Sequence, residues 1–159
     1  MRTRFTDANC SLARSLDVLG DGWTLMVLRE AFFGTRRFGD FQRRLGIAKN
    51  ILSDRLSHLV EHEVLRKVEA GTHGRRQEYV LTRQGRDLAT VLTALRQWGD
   101  RWLLGPGHEP LLVIDRRTGE PVPPLRIRGA DGVVLRGADL ELRPGPGASA
   151  ATRARFLED

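Results

Sequence analysis

A mainly α, α+β fold is predicted for this chain by three observations. Four short segments with apolar residues at helical spacing come first. Two alternating segments around a glycine-bearing turn follow, and then a helical run with its large apolar residues along one seam. Beyond Leu104 the texture changes to brief Val/Leu/Ile runs broken by Gly, Pro and Asp. At 159 residues and 40% hydrophobic content, the chain suits one main domain with appendages rather than two cores. Residues 1–104 are read as the main domain, 105–142 as a short strand-rich extension and 143–159 as a flexible tail.

In the first predicted helix, Ser11 to Leu19, the residues Leu12, Ala13, Leu16, Val18 and Leu19 recur at helical spacing, and Gly20 stops it. Asp21 precedes a second helix so rich in apolar residues, from Trp23 to Phe33, that burial is expected; Gly34 closes it. Phe38, Phe41 and Leu45 define a third, ending at Gly46. After the turn Gly46-Ile47-Ala48, a fourth helix places Ile51, Leu52, Leu56, Leu59 and Val60 on one face. Lys49, Asn50, Ser53, Asp54 and Arg55 occupy much of the other. Two short helices joined by a tight turn form a helix-turn-helix.

VLRKVEA and QEYVLT alternate as strands, and GTHGRR turns the chain between them, giving a hairpin wing. Thr82 can cap a long helix from Arg83. Its seam of Leu88, Val91, Leu92, Leu95, Trp98 and Trp102 is too large to leave in water, so a partner surface is expected. With Leu12 and Leu16 from the first helix, Leu88, Val91, Leu95, Trp98 and Trp102 form the predicted homodimer interface. The sum is a winged helix-turn-helix with a long dimerisation helix and a small strand-rich C-terminal extension. The runs LLVI, LRIR, VVLR and LELR supply that extension's strands; PGPGASAATRARFLED reads as linker ending in a short helix or in disorder.

A formal net charge of +6 points to a polyanionic partner, although G+C-rich coding would also favour arginine over the two lysines, Lys49 and Lys67. No run approaches the roughly 18 apolar residues of a membrane helix, and the amino terminus lacks a secretory apolar core, so a soluble, cytoplasmic, nucleoid-associated protein is expected. The single cysteine, Cys10, excludes an intrachain disulfide and any CxxC site. Of the histidines His58, His62, His73 and His108, only His58 and His62 share a helix face, without an HExxH context. No phosphate loop or GxSxG elbow occurs, so no enzyme, metal site or cofactor is expected. Trp23, Phe38 and Phe41 read as core, not as a ligand pocket.

The cysteine ahead of helix 1, the segment LDVLGDGWTLMVLREAFFGTRRFGDFQRRLGIAKNILSDRLSHLVEHEVL, then EYVLTRQGRDL and WGDRW together span about Cys10 to Trp102. In order and spacing they resemble the HxlR-type regulators, winged-helix proteins related in architecture to the MarR type. The resemblance implies a dimer that binds a short palindromic operator, usually near its own promoter, with no enzymatic activity. Ser11 departs from the proline many members carry after the cysteine, and residues after Leu104 extend beyond the minimal family domain and inherit no function from it.

On this reading Asn50, Ser53, Asp54 and Arg55 meet base edges in the major groove, while Lys49 and the helix start address a phosphate. Arg36 and Arg37 ahead of the third helix, with His73, Arg75 and Arg76 at the wing tip, straddle the phosphate backbones. Cys10, just before a helix and one turn from Arg14, is a candidate redox or electrophile sensor. The expected function is a sequence-specific, double-stranded-DNA-binding transcriptional regulator: a dimeric repressor open to a redox or small-molecule effector. The alternatives are a winged-helix protein-interaction module and, more remotely, an architectural DNA binder without sequence preference.

Overall fold

Among the described residues, the apolar side chains closed to solvent all lie between Val27 and Leu65. In the computed structural model, residue 5, residues 7–70 and residues 76–157 are described, and this core sits under four helices and a hairpin. The elements are α1 (Ser11–Leu19), α2 (Gly22–Phe32), α3 (Phe38–Leu45), α4 (Lys49–Glu61), β1 (Leu65–Ala70), β2 (Arg76–Leu81), α5 (Arg83–Asp87), α6 (Ala89–Gly99) and α7 (Ala150–Ala154).

Each core element follows from spacing. α4 turns Leu52, Leu56 and Leu59 inward, one per turn, against Val27 and Leu28 of α2 and Phe41 of α3. Asp21 caps α2 by accepting from the Thr24 backbone N–H at 3.2 Å. Gly46 ends α3 in the left-handed region, with φ of 62°, and its N–H returns to the Gln42 carbonyl at 2.9 Å. That conformation lets buried Ile47 drop into the core before α4 starts. His58 Nε2 lies 3.1 and 3.2 Å from the carbonyls of Asp17 and Val18, linking α4 to the end of α1.

β1 and β2 pair antiparallel from Leu65↔Leu81 to Ala70↔Arg76. The Tyr79 N–H donates to the Arg36 carbonyl at 2.8 Å, so the segment before α3 lies against β2. Thr82 caps the following helix as expected, accepting from the Gly85 N–H at 3.0 Å. A side chain at Gly85 would place Cβ 2.1 Å from the Val64 carbonyl oxygen, and only glycine permits that approach.

The structure corrects several expectations. The single long helix is two, α5 and α6, broken at Leu88, whose N–H bonds to the Gly85 carbonyl in a tightened turn. Leu88 is half-buried and packs partly against the protomer's own core. α6 continues into a π-helical turn, Asp100–Leu104, ended by Gly105 at φ 88°. Within α2, Trp23 and the following Phe33 are exposed, while Phe41 is buried and Phe38 half-buried against the core. The strand-rich extension is also corrected: among its described residues only the isolated bridges Ile114–Pro121 and Arg128–Val134 form, besides a 3-10 turn at Gly137–Asp139. Pro121, Pro123 and Pro124 have no N–H to extend a ladder.

Gln97 of α6 holds the extension, donating to the Pro123 carbonyl at 3.1 Å and accepting from the Leu125 N–H at 2.7 Å. The tail carries α7, capped by Ser149. Asn9 binds it there, donating to the Gly147 carbonyl at 3.0 Å and accepting from the Ser149 N–H at 2.8 Å and the Thr152 hydroxyl at 2.7 Å.

Candidate nucleic-acid interface

Because α4 commits Leu52, Leu56 and Leu59 to the core, the opposite side of the helix is left to solvent. Lys49, Asn50, Ser53 and Asp54 are exposed there, over the first turn and a half. The first amides of α4 precede the first helical acceptor, so the positive end of the helix and the Lys49 ammonium face the same region. The arrangement offers donors and acceptors for base edges beside a point charge for a phosphate.

Arg55 does not share that freedom. It is half-buried, its Nε 3.0 Å from Asp21 Oδ1, and Asp21 is the residue that caps α2. Expected as a base reader, Arg55 is held as a strut between α4 and the start of α2. No pattern in the sequence links the two positions, which lie 34 residues apart by number (55 minus 21).

Arg36 and Arg37 are exposed before α3, and both guanidiniums converge on Glu78 of β2, at 3.9 and 3.2 Å. The Arg36 carbonyl and Tyr79 N–H hydrogen bond sits beside this clamp, so the arginines are attached to the wing by backbone and side chain together. Arg76 is exposed at the first residue of β2, at the wing's tip side. His73 and Arg75 lie outside the described residues. Tyr79 has its hydroxyl pushed above the ordinary value by burial, with the Lys67 ammonium 5.9 Å over its ring.

Three acids anchor arginines here: Glu78, Asp21, which the sequence marks only as the residue ahead of α2, and buried Glu30, which meets Arg29 at 2.8 Å, Arg44 at 3.8 Å and the Thr35 hydroxyl at 3.3 Å. The only hint of Glu30 was an acid set in an apolar helix. Among the described residues no group of three His, Cys, Asp or Glu is placed to hold a metal ion.

The expected dimer seam is exposed. Leu12 and Leu16 on α1, and Val91, Leu95, Trp98 and Trp102 on α6 and its π-turn, are all open, with Leu12 at 68% and Trp102 at 64%. Cys10 is the exposed N-cap residue of α1, a free thiol without a side-chain capping bond. The Arg14 Nε donates to the Ala8 carbonyl at 3.2 Å.

A family model described as HxlR-like helix-turn-helix matches residues 18–105, which contain α2 to α6 with the exposed face of α4 and the Arg36, Arg37 and Glu78 clamp, but not Cys10, Leu12 or Leu16. The chain belongs to this family. It is a DNA-binding transcriptional regulator, and its family is one of regulators rather than enzymes. Among relatives, an uncharacterized HTH-type transcriptional regulator of Mycobacterium tuberculosis, Rv3095, is 41% identical over 137 residues, covering 86% of this chain and 87% of that one. The crystal structure of PA1607, a proposed transcription factor, superimposes with a TM-score of 0.82 at 45% identity, over 89% of this chain and 99% of the other. That coverage exceeds the family model's span, so the extension of this HxlR-like chain is part of the shared architecture. The redox regulator HypR in its reduced form is 26% identical with a TM-score of 0.54, covering 60% of this chain and 97% of HypR. Among the described residues no helix is long and apolar enough to cross a membrane.

Proposed function

We propose that the protein is a homodimeric repressor that binds a short palindromic operator with α4 in the major groove. It acts on nucleoid DNA in the cytoplasm. The observation that carries this reading is the exposed Lys49, Asn50, Ser53 and Asp54 face of α4 beside a wing to which Arg36 and Arg37 are clamped. Asn50 and Ser53 read bases; Lys49, Arg36, Arg37, His73, Arg75 and Arg76 address phosphates. Arg55 positions α4 rather than reading. The apolar seam of α1 and α6 supports the dimer, because such a stripe of leucine and tryptophan is stabilised by removal from water.

Fluorescence anisotropy on the duplex upstream of the protein's own coding region, with random duplex as competitor, tests this. The expected specificity ratio is about a thousandfold or more. A double Arg36→Ala, Arg37→Ala variant should flatten the log-log salt dependence by about 0.9 for each phosphate lost per half-site. Weak, equal affinity for both duplexes would favour a protein-docking module or an architectural binder.

A redox input is supported by the exposed free thiol of Cys10, preceding the exposed Leu12 and Leu16, and by the likeness to a redox regulator. Two Cys10 thiols, one per protomer, would lose two electrons and two protons to a peroxide and form an interchain disulfide. Peroxide should then yield a covalent dimer with altered operator affinity in the native chain and leave Cys10→Ser unchanged. An identical response of the two proteins would remove Cys10 from the mechanism.

A further inference from the structure

A cavity of about 530 Å³ opens between α2, α6 and the Leu111–Val113 run of the extension. Its walls are apolar, drawn from Leu25 and Phe32 of α2, Leu92 and Leu95 of α6, and Leu111 and Leu112. Two guanidiniums interrupt them. Arg29 and Arg96 come from different helices, and each has its guanidinium carbon 5.8 Å from the centre of the same Phe33 ring.

The two cations differ in how they are compensated. Arg29 Nη2 is 2.8 Å from Glu30 Oε1, whereas Arg96, among the described residues, meets the Phe33 face and no carboxylate within ion-pair distance. No acidic side chain lines the cavity, and Thr93 adds one hydroxyl. A half-buried cation beside an apolar wall favours an anion over a neutral molecule, because a charge-assisted hydrogen bond gains strength where water is scarce. The volume lies within the range of small-molecule sites, roughly 300–1,000 Å³.

We propose that this cavity binds a small amphipathic organic acid, with a body of one or two rings among the leucines and its carboxylate on Arg96. The third wall comes from the extension, which gives that segment a role in recognition. α2 packs against both α4 and α6, so an occupant between α2 and α6 alters how the reading helix sits relative to the dimer seam. That last consequence rests on the regulator reading; the binding does not.

The test uses the full-length protein, without DNA, titrated calorimetrically with 1-naphthoate and with its neutral counterpart 1-naphthamide. Saturable naphthoate binding at least about tenfold tighter than naphthamide is expected, the gap a charged hydrogen bond to arginine gives. Arg96→Gln should close that gap, Ala89→Trp should block both probes by filling the cavity, and Arg126→Gln, outside this cavity, should change neither. Circular dichroism of each variant confirms that it folds. Equal affinity for the two probes, an unchanged gap in Arg96→Gln, or no saturable binding because a second copy closes the groove would each overturn the proposal. Operator anisotropy with and without naphthoate is a separate reading: absence of operator binding by the ligand-free protein would overturn the proposed operator while leaving the ligand site standing.

Discussion

The stretch from Ser11 to Leu104 and the stretch from Gly105 to Leu157 have similarly apolar runs but opposite fates. In the first, leucines recur at helical spacing and Val27, Leu28, Leu52, Leu56 and Leu59 reach zero exposure. In the second no described residue is buried, and Leu112, Ile127, Val133 and Leu142 remain open. The difference is one of geometry. A helix gathers residues three and four apart onto one side, so a modest apolar content makes a continuous face; the extension's runs are cut by proline and glycine before neighbouring strands can pair. Apolar composition makes a core only where the backbone can line it up, and otherwise leaves a surface suited to a ligand or a second protomer.

Substitutions matched across the two regions sharpen this contrast. Leu56→Ala should cost roughly 3 kcal/mol in urea unfolding, and Leu112→Ala below about 0.5 kcal/mol. Equal costs would reveal a hidden core in the extension. For glycines, Gly85→Ala meets the Val64 backbone and should cost about 2 kcal/mol, while Gly129→Ala meets a movable Asp131 carboxylate at 2.8 Å and should cost far less. Thermal melts of the pair would show whether the approach of α5 to Val64 is as rigid as it looks.

Ion pairs give the next contrast. Half-buried Arg55–Asp21 at 3.0 Å should show a coupling of about 1 kcal/mol in a double-mutant cycle, discounted for its remaining exposure. Arg117–Asp115, at 2.8 Å but with the arginine 84% exposed, should show almost none. The smallest effect concerns Tyr79, the only tyrosine of the chain. Its hydroxyl is raised above 10.0 by burial, so its contribution to stability is complete below the unfolded value and is lost as pH climbs through the higher folded one. Phenolate absorbance should therefore titrate later in the folded protein than in urea, and coincident curves would contradict the burial of the hairpin against α3.

Much of the reading head was legible in the sequence because helices advertise themselves locally. The Leu52, Leu56, Leu59 period, the Gly46 stop and the Thr82 cap each sit within one or two turns of what they determine. What escaped was non-local. The Arg55–Asp21 pair joins α4 to the start of α2, and Leu88 packs partly on the core at the junction of α5 and α6. Strands were expected in the extension because alternation is necessary for a strand, but a strand also needs a neighbour with free N–H groups, and the proline cluster removes them. The Glu78 clamp and the cavity by Phe33 each combine residues from separate elements, which no short pattern encodes.

The clamp also bears on how quickly a target is found. Arg36 and Arg37 already have a counterion in Glu78, so engaging any phosphate means exchanging one anion for another rather than gaining a new attraction. If these arginines meet phosphates as proposed, the exchange lowers affinity on every stretch of DNA alike and shortens each stop on irrelevant sequence, whereas base contacts from α4 would add back residence time only at the operator. On the proposed reading Glu78 would then work as an internal brake on sticking, letting a basic protein search a genome without being trapped by it.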